Sequence, residues 1–157
     1  MNRRFAIFTI SISLCLTSGI TNSYSSENKA REVKAPCRLE VEYAHISTSI
    51  FEKSKQMAVK VNAFSICNVP SSNVQITVQI WKTGNFLPIK VKQSIANSQG
   101  VVPAGKKFSN KDTNAKCKDR TPTYYYGVAY AKALIAGKWQ YARQTLSKEP
   151  KLLMCGT

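Results

Sequence analysis

Two stretches of the sequence decide the fold, residues 38–48 (RLEVEYAHIST) and residues 57–66 (MAVKVNAFSI). Both alternate between apolar and polar side chains, which is the pattern of β-strands that bury one face. In the first stretch the apolar side consists of Leu39, Val41 and Tyr43, and in the second it consists of the odd-numbered residues. We therefore predict that the two stretches form neighbouring strands.

The cysteines that flank these strands indicate how the strands pair. If they run antiparallel about position 52, residues whose numbers sum to 104 lie opposite each other, so Cys37 faces Cys67. The same register matches the two apolar sides, by opposing Val41 to Ala63 and Tyr43 to Val61. A shift of one residue would turn one apolar side away from the other. The register predicts a Cys37–Cys67 disulfide, and of the three possible pairings this leaves Cys117–Cys155 as the second bridge.

A zinc site built from the four cysteines is the alternative to two disulfides. The sequence has no close Cys-x-x-Cys pair, and the predicted oxidising compartment favours bridges. We therefore predict no metal and no cofactor.

The predicted compartment follows from residues 1–25, which have the three parts of a secretory signal peptide. Arg3 and Arg4 form the positive start, residues 5–16 are apolar, and Ser25 precedes the predicted cleavage point. The apolar run is shorter than the roughly 20 residues that a membrane-spanning helix needs, so no transmembrane segment is predicted. We expect a secreted, extracellular protein.

Cleavage after Ser25 leaves 132 residues, enough for one domain with a substantial core. Residues 26–36 are predicted to be a flexible N-terminal arm and residues 37–157 a single disulfide-bonded domain. The predicted mature chain has 21 basic and 8 acidic residues, a net charge of +13. Such a charge favours anionic partners such as an envelope polymer, nucleic acid or acidic lipid headgroups, and a basic exterior without a partner is the alternative.

The rest of the chain is predicted to form further short strands without a helix. The predicted strands cover 74–80, 87–91, 107–109, 123–134 and 138–146, and a final apolar piece covers 152–154. In the strand over 87–91, Leu87, Ile89 and Val91 form the apolar side and Pro88 suits a sheet edge. About seven short strands between regular turns indicate an all-β antiparallel sandwich, and we expect an immunoglobulin-like Greek key.

Two features resemble immunoglobulin-like domains. Trp81 lies 14 residues after Cys67, similar to the strand B cysteine and strand C tryptophan of that fold, and residues 124–126 are a tyrosine cluster similar to its strand F. No cysteine lies two residues after any of these tyrosines, so the inter-sheet bridge of antibody domains is absent. The resemblance concerns architecture alone and implies no function.

The last predicted hairpin carries the first candidate binding surface. With a two-residue turn at Ala136–Gly137, opposed residues sum to 273, which pairs Trp139 with Leu134 and Tyr141 with Lys132. One face of the hairpin is then aromatic and cationic, with Tyr126, Tyr130, Lys132, Trp139, Tyr141 and Arg143. The other face carries small residues, namely Gly127, Ala129, Ala131, Ala133 and Ala142.

We expect the aromatic side chains of this hairpin to fill the core while Lys132 and Arg143 reach outwards, because large apolar side chains are the usual interior. In the alternative, the small residues face the core and the aromatic side chains lie exposed. Rings interleaved with cations would then suit stacking on sugars or bases and pairing with phosphates.

A lysine-rich stretch over residues 106–120 is the second candidate surface. Its only acidic residues are Asp112 and Asp119, and its basic residues are Lys106, Lys107, Lys111, Lys116, Lys118 and Arg120. Because lysine predominates over arginine, we expect diffuse, salt-sensitive anion binding and no bidentate phosphate recognition. A solvated basic loop without a partner is the alternative.

A catalytic site of the ribonuclease type would depend on His45, the one histidine of the chain. A ribonuclease-like enzyme could combine it with Glu42 or Glu52 and a lysine, but His45 and Glu42 lie on opposite faces of a regular strand. No phosphate loop, His-Glu-x-x-His motif or Gly-x-Ser-x-Gly elbow occurs.

The sequence favours a non-catalytic binding module for an anionic polymer or a protein at the cell exterior. A small secreted hydrolase or toxin and a secreted inhibitor or envelope structural protein are the alternatives.

Overall fold

The structure is a computed structural model that describes residues 35–142 and 144–157. The described residues form mainly antiparallel strands, which confirms the predicted all-β class. The elements are β1 Cys37–Val41, β2 His45–Ile46, α1 Thr48–Ser54, β3 Ala58–Cys67, β4 Ser72–Lys82, β5 Ile89–Asn97, β6 Lys107–Lys116, β7 Asp119–Ile135, β8 Lys138–Tyr141, β9 Thr145–Leu146 and β10 Lys151–Gly156. The predicted signal peptide, nearly all of the predicted arm and Arg143 lie outside the described residues. The domain bounds and the immunoglobulin-like arrangement stay predictions.

The first sheet is built around β3. Strand β1 pairs with β3 in the predicted register, with Cys37 opposite Cys67 and Val41 opposite Ala63, and β6 also pairs with β3. Strand β2 also pairs with β3, but its register is shifted by one residue relative to that of β1, since His45 lies opposite Lys60. The prediction of one continuous strand over 38–48 is therefore wrong, and an interruption at residues 42–44 divides it.

This interruption takes Tyr43 out of the core. The side chain of Tyr43 is 41% exposed, whereas Ala44 is buried. The ammonium group of Lys151 lies 4.5 Å from the centroid of the Tyr43 ring. An extra residue in one of two paired strands bends the chain and re-aims the side chains beside it, which explains why the strict alternation fails here.

Helix α1 was not predicted from the sequence. The hydroxyl of Ser47 accepts a hydrogen bond from the amide of Ile50 at 3.3 Å, which caps the first turn, and Lys55, directly after the helix, has the left-handed conformation. Seven residues are too few to establish the 3.6-residue periodicity by which a helix is recognised.

The second sheet has the order β10-β7-β4-β5, and β8 and β9 also pair with β7. Strand β5 begins at Ile89, so the predicted strand start at Leu87 is wrong, and it runs on to Asn97. Strand β6 covers ten residues where only 107–109 had been expected. A register shift opposite Val61 and Ala63 interrupts β6, and this shift hides its alternation in the sequence.

Both sheets contribute to one hydrophobic core, and β7 faces that core with the side that carries its small residues and Tyr125. The core includes Val59 and Val61 of β3, Ile76 and Ile80 of β4, and Tyr125, Ala129 and Ala133 of β7. The expectation that the aromatic face of the hairpin fills the core is therefore wrong, and the alternative is correct.

The physical reason for this orientation lies at Gly127. A Cβ atom there would lie 2.4 Å from Cγ1 of Val61 and 2.8 Å from Cγ1 of Val41, both in the other sheet. Because the valine side chains of the first sheet leave no space for a Cβ atom at this point, a face with small residues at 127, 129 and 133 suits the inward side of β7, and the large side chain of Tyr125 is buried nearer the start of the strand.

Both predicted disulfides, Cys37–Cys67 and Cys117–Cys155, are present. The four cysteines are therefore not available as zinc ligands, which rules out the alternative of a four-cysteine zinc site. Among residues 35–142 and 144–157, no helix is long and apolar enough to cross a membrane.

Candidate binding surface

The aromatic side of the β7–β8 hairpin lies on the face of the second sheet that points away from the core. The predicted register is confirmed, with Leu134 opposite Trp139 and Lys132 opposite Tyr141. Ala136 and Gly137 have φ angles of 46° and 75°, and two positive φ angles are what a type I′ turn requires. The turn and the alternation of the strands thus place these side chains together.

Three exposed aromatic residues of this hairpin and the half-buried Lys132 form a cluster, which we call the aromatic patch: Tyr130, Lys132, Trp139 and Tyr141. The exposed fractions of the three aromatic residues are 38% for Tyr130, 45% for Trp139 and 73% for Tyr141. The ammonium group of Lys132 lies 5.0 Å from the centroid of the Trp139 ring, within the range of a cation–π contact. The patch therefore combines accessible rings with a cation that one of those rings positions.

Polar side chains of the neighbouring strand border the aromatic patch. On β4, Gln75 lies opposite Lys132 and Thr77 lies opposite Tyr130. The side-chain amide of Gln75 donates a hydrogen bond of 2.8 Å to the side-chain oxygen of Asn97 on β5. Hydrogen-bonding groups are consequently available next to the rings.

Tyr126, also predicted as a binding residue, is half-buried on the same face. Its ring stacks with that of Trp81 at a centroid distance of 6.4 Å and an interplanar angle of 18°. Burial raises the pKa of the Tyr126 phenol above its usual value. The indole of Trp81 donates to Gln79, and the Gln79 amide donates to Gln93, both at 2.8 Å. Tyr126 and Trp81 therefore form a stacked pair, fixed by hydrogen bonds, on the same face as the patch. Trp81 accordingly lies on this outer side, not in the core.

Apolar residues that the sequence analysis missed continue this face along β7. Leu152 lies opposite Tyr124 and Leu146 lies opposite Val128. Tyr124, Leu146 and Leu152 are about half exposed. The period-two spacing of Leu152 and Met154 was a signal for this strand, but it did not indicate which side would lie outside.

The lysine-rich stretch is a separate surface. Lys107, Lys111 and Lys116 lie on β6 in the first sheet, so most of the stretch is a strand and not the expected loop. All six cations are exposed: Lys106, Lys107, Lys111, Lys116, Lys118 and Arg120. The ammonium group of Lys107 lies 3.5 Å from the centroid of the Phe64 ring. The structure therefore distributes the predicted binding residues over two surfaces, and Arg143 lies outside the described residues.

The residues considered for catalysis have other contacts. Nδ1 of His45 lies 3.0 Å from the backbone carbonyl oxygen of Tyr43. The carboxylate of Glu42 accepts a hydrogen bond of 2.8 Å from the side-chain amide of Asn62. Glu52 lies on the exposed helix α1. His45 and Glu42 are thus engaged with different partners.

A scan of the sequence against protein-family models gives no match, and a comparison with curated proteins gives none either.

Proposed function

We propose that this protein is a secreted, non-catalytic binding module that engages an anionic polymer at the cell exterior through the aromatic patch. The observation that carries this proposal is the exposure of Tyr130, Trp139 and Tyr141 beside the ammonium group of Lys132. Exposed rings stack on bases or sugar rings without strong sequence preference, and an adjacent cation pairs with the charged groups of the polymer.

The charge of the whole chain supports an anionic ligand. The sequence carries a net charge of +15, and the predicted mature chain carries +13. A field of this size raises the local concentration of polyanions and speeds their association. The cations on and around β6 contribute to this attraction at a distance, while the aromatic patch supplies the contacts. Binding should consequently weaken as the salt concentration rises.

The two disulfides support the export part of the proposal, because such bridges persist in oxidising compartments outside the cytosol. We place the export signal in residues 1–25. For the arrangement of the two sheets we propose the immunoglobulin-like Greek-key sandwich.

The experiment is a binding titration of the oxidised protein, cleaved after Ser25, against three polymers at low and high salt. The probes are single-stranded polyuridylate, a teichoic acid and neutral dextran. Binding to the two anionic polymers that weakens at high salt, with the RNA intact afterwards, supports the proposal. Absence of binding, or equal binding to dextran and the anionic polymers, overturns it. Cleavage of the RNA would instead favour the ribonuclease-like alternative, and His45→Ala would then be the variant that tests it.

A further inference from the structure

The turn between β4 and β5 is an exposed apolar tip, formed by residues 84–89 (GNFLPI). The exposed fractions are 96% for Phe86, 75% for Leu87 and 49% for Ile89. Scattered apolar side chains are common on protein surfaces, whereas adjacent, strongly exposed ones are typical of interaction sites.

The tip folds back on itself at the end of a paired hairpin. Strands β4 and β5 stay paired up to Lys82 and Ile89. A Cβ atom on Gly84 would lie 2.4 Å from the carbonyl oxygen of Leu87, so only glycine allows the chain to close this turn. Phe86 and Leu87 therefore project beyond the end of a paired hairpin. Such a projection suits insertion into a fluid lipid layer and does not form a groove for a peptide.

Basic residues lie near the base of the tip. Lys90 and Lys92 follow directly on β5 and are exposed. On the neighbouring strand, Tyr125 lies opposite Lys82, so the first residues of β7 extend towards the same end of the sheet as the tip. Lys118 directly precedes β7 and Arg120 lies near its start. Between them lies Asp119, whose carboxylate accepts a hydrogen bond from the Thr121 amide.

Tyr124 adds an amphipathic ring at the same level. Its carbonyl oxygen accepts a hydrogen bond of 3.0 Å from the amide of Thr83, the residue before the tip, and its side chain is 49% exposed. Tyrosine rings favour the boundary between the headgroups and the hydrocarbon of a bilayer. The apolar residues are thus at the end of the hairpin, and the aromatic and basic residues lie behind them.

We propose that the apolar tip inserts into the surface of lipid bilayers that carry anionic headgroups. Phe86 and Leu87 enter the boundary between headgroups and acyl chains, while Lys90, Lys92 and Arg120 lie at the headgroups. Attachment of this kind combines buried apolar area with attraction to anionic lipids. It goes beyond the polymer-binding function, because it uses another surface and another class of partner.

Co-sedimentation with vesicles tests the proposal. The vesicles are phosphatidylcholine alone and phosphatidylcholine mixed with phosphatidylglycerol. We expect the oxidised protein to bind the mixed vesicles, and the variant Phe86→Ser/Leu87→Ser to bind them at least about tenfold more weakly. The matched control is Phe51→Ser, which removes a 46% exposed phenylalanine from α1 and should leave binding unchanged. The variant Lys90→Gln/Lys92→Gln should also weaken binding to the mixed vesicles.

Three results would overturn the proposal. The protein could fail to bind the mixed vesicles. The tip variant could bind them as well as the parent protein, which would reduce the interaction to charge alone. Sedimentation without lipid could show a dimer that the tip variant loses, which would assign the tip to a second copy of the chain.

Insertion depth gives an independent readout. The variant Phe86→Trp should show stronger quenching by lipids brominated on their acyl chains than the parent protein, whose tryptophans are Trp81 and Trp139. Equal quenching would contradict insertion. A failure of these experiments leaves the polymer-binding function standing, because none of the substitutions touches the aromatic patch.

Discussion

Gly127 of β7 and Val61 of β3 face each other across the core with no space for a Cβ atom between them, since such an atom would lie 2.4 Å from Cγ1 of Val61. This contact lies on the inward face of β7 and requires glycine there. With that face turned inwards, the rings of Tyr130 and Trp139 on the other face are accessible to a ligand.

The first prediction concerns this contact. Glycine within a strand is usually less favourable than alanine, so Gly127→Ala would ordinarily stabilise a strand. Here the added methyl group overpacks the core, and we expect the free energy of unfolding to fall by about 1 to 3 kcal/mol. Urea denaturation measures this change. In a double-mutant cycle, Val61→Ala should relieve part of the loss because it removes the nearest obstructing atoms. Strictly additive effects would contradict a direct clash.

The second prediction concerns the disulfides. Replacing Cys117 and Cys155 together by serine should lower the free energy of unfolding by about 2 to 5 kcal/mol. The matched variant replaces Cys37 and Cys67. It should lose a similar amount, because the two bridges span 30 and 38 residues and therefore restrict the unfolded chain to a similar extent. Equal melting temperatures of the unsubstituted protein with and without reductant would refute this role.

A third prediction addresses the link between β7 and β10. The buried hydroxyl of Tyr125 donates a hydrogen bond of 2.7 Å to the carbonyl oxygen of Cys155. Tyr125→Phe leaves that carbonyl without this donor, and we expect a loss of about 1 to 3 kcal/mol in chemical denaturation. Tyr124→Phe is the control, since its ring is half exposed and its substitution should change stability little. Equal losses in both variants would show that the buried hydrogen bond contributes nothing specific.

The fourth prediction tests the aromatic patch. Trp139→Ala should weaken binding to polyuridylate by about 1 to 3 kcal/mol, the typical contribution of a stacked ring. Lys132→Gln should reduce the dependence of the affinity on salt by about one counterion. Phe51→Ala removes an exposed ring far from this strand in the sequence and should leave the titration unchanged. If all three variants bound equally well, the patch would not be the site.

The fifth prediction concerns acid stability. A hydrogen bond from the Thr121 backbone, followed by one from its side chain, lowers the pKa of Asp119 below its usual value. A carboxyl group with a lowered pKa in the folded state stabilises the protein above its unfolded-state pKa and loses this contribution as the pH falls through the folded-state pKa. Asp119→Asn should therefore unfold with a shallower dependence on pH below about pH 4, as followed by circular dichroism in urea. An unchanged slope would contradict this assignment.

The registers of two hairpins could be predicted because each combines a period-two pattern with a local anchor. For β1 and β3 the anchor is the cysteine pair, and for β7 and β8 it is the turn at Ala136–Gly137. Such information is local, so it is present in the sequence of the hairpin itself.

The outward direction of the aromatic face could not be predicted in the same way. It depends on which face of β7 meets the other sheet, and that is a matter of contacts between residues far apart in sequence. The small side chains at positions 127, 129 and 133 were the signal for close approach. The general preference of large apolar side chains for the interior outweighs that signal when only the sequence is considered. It does not apply to this hairpin, because Val59, Val61 and Ile76 already supply the core from the other strands.

The apolar tip was missed for a different reason. Leu87 continues the alternation of Ile89 and Val91, so the pattern extends a strand across residues that in fact form the turn. The position of Gly84, where the chain folds back onto the Leu87 carbonyl, decides where that strand begins.

The length of β7 has a mechanical consequence. This one strand of 17 residues carries Tyr130 and Lys132 of the aromatic patch, pairs with β4 along most of its course, and pairs with β10 near its start. A pull along β7 by a bound polymer would load its hydrogen bonds to β4 in shear, so that many bonds resist together instead of opening one after another. The Cys117–Cys155 bridge holds β10 at the far end of the same strand. The pairings with β4 and with β10 would therefore share a force directed along β7.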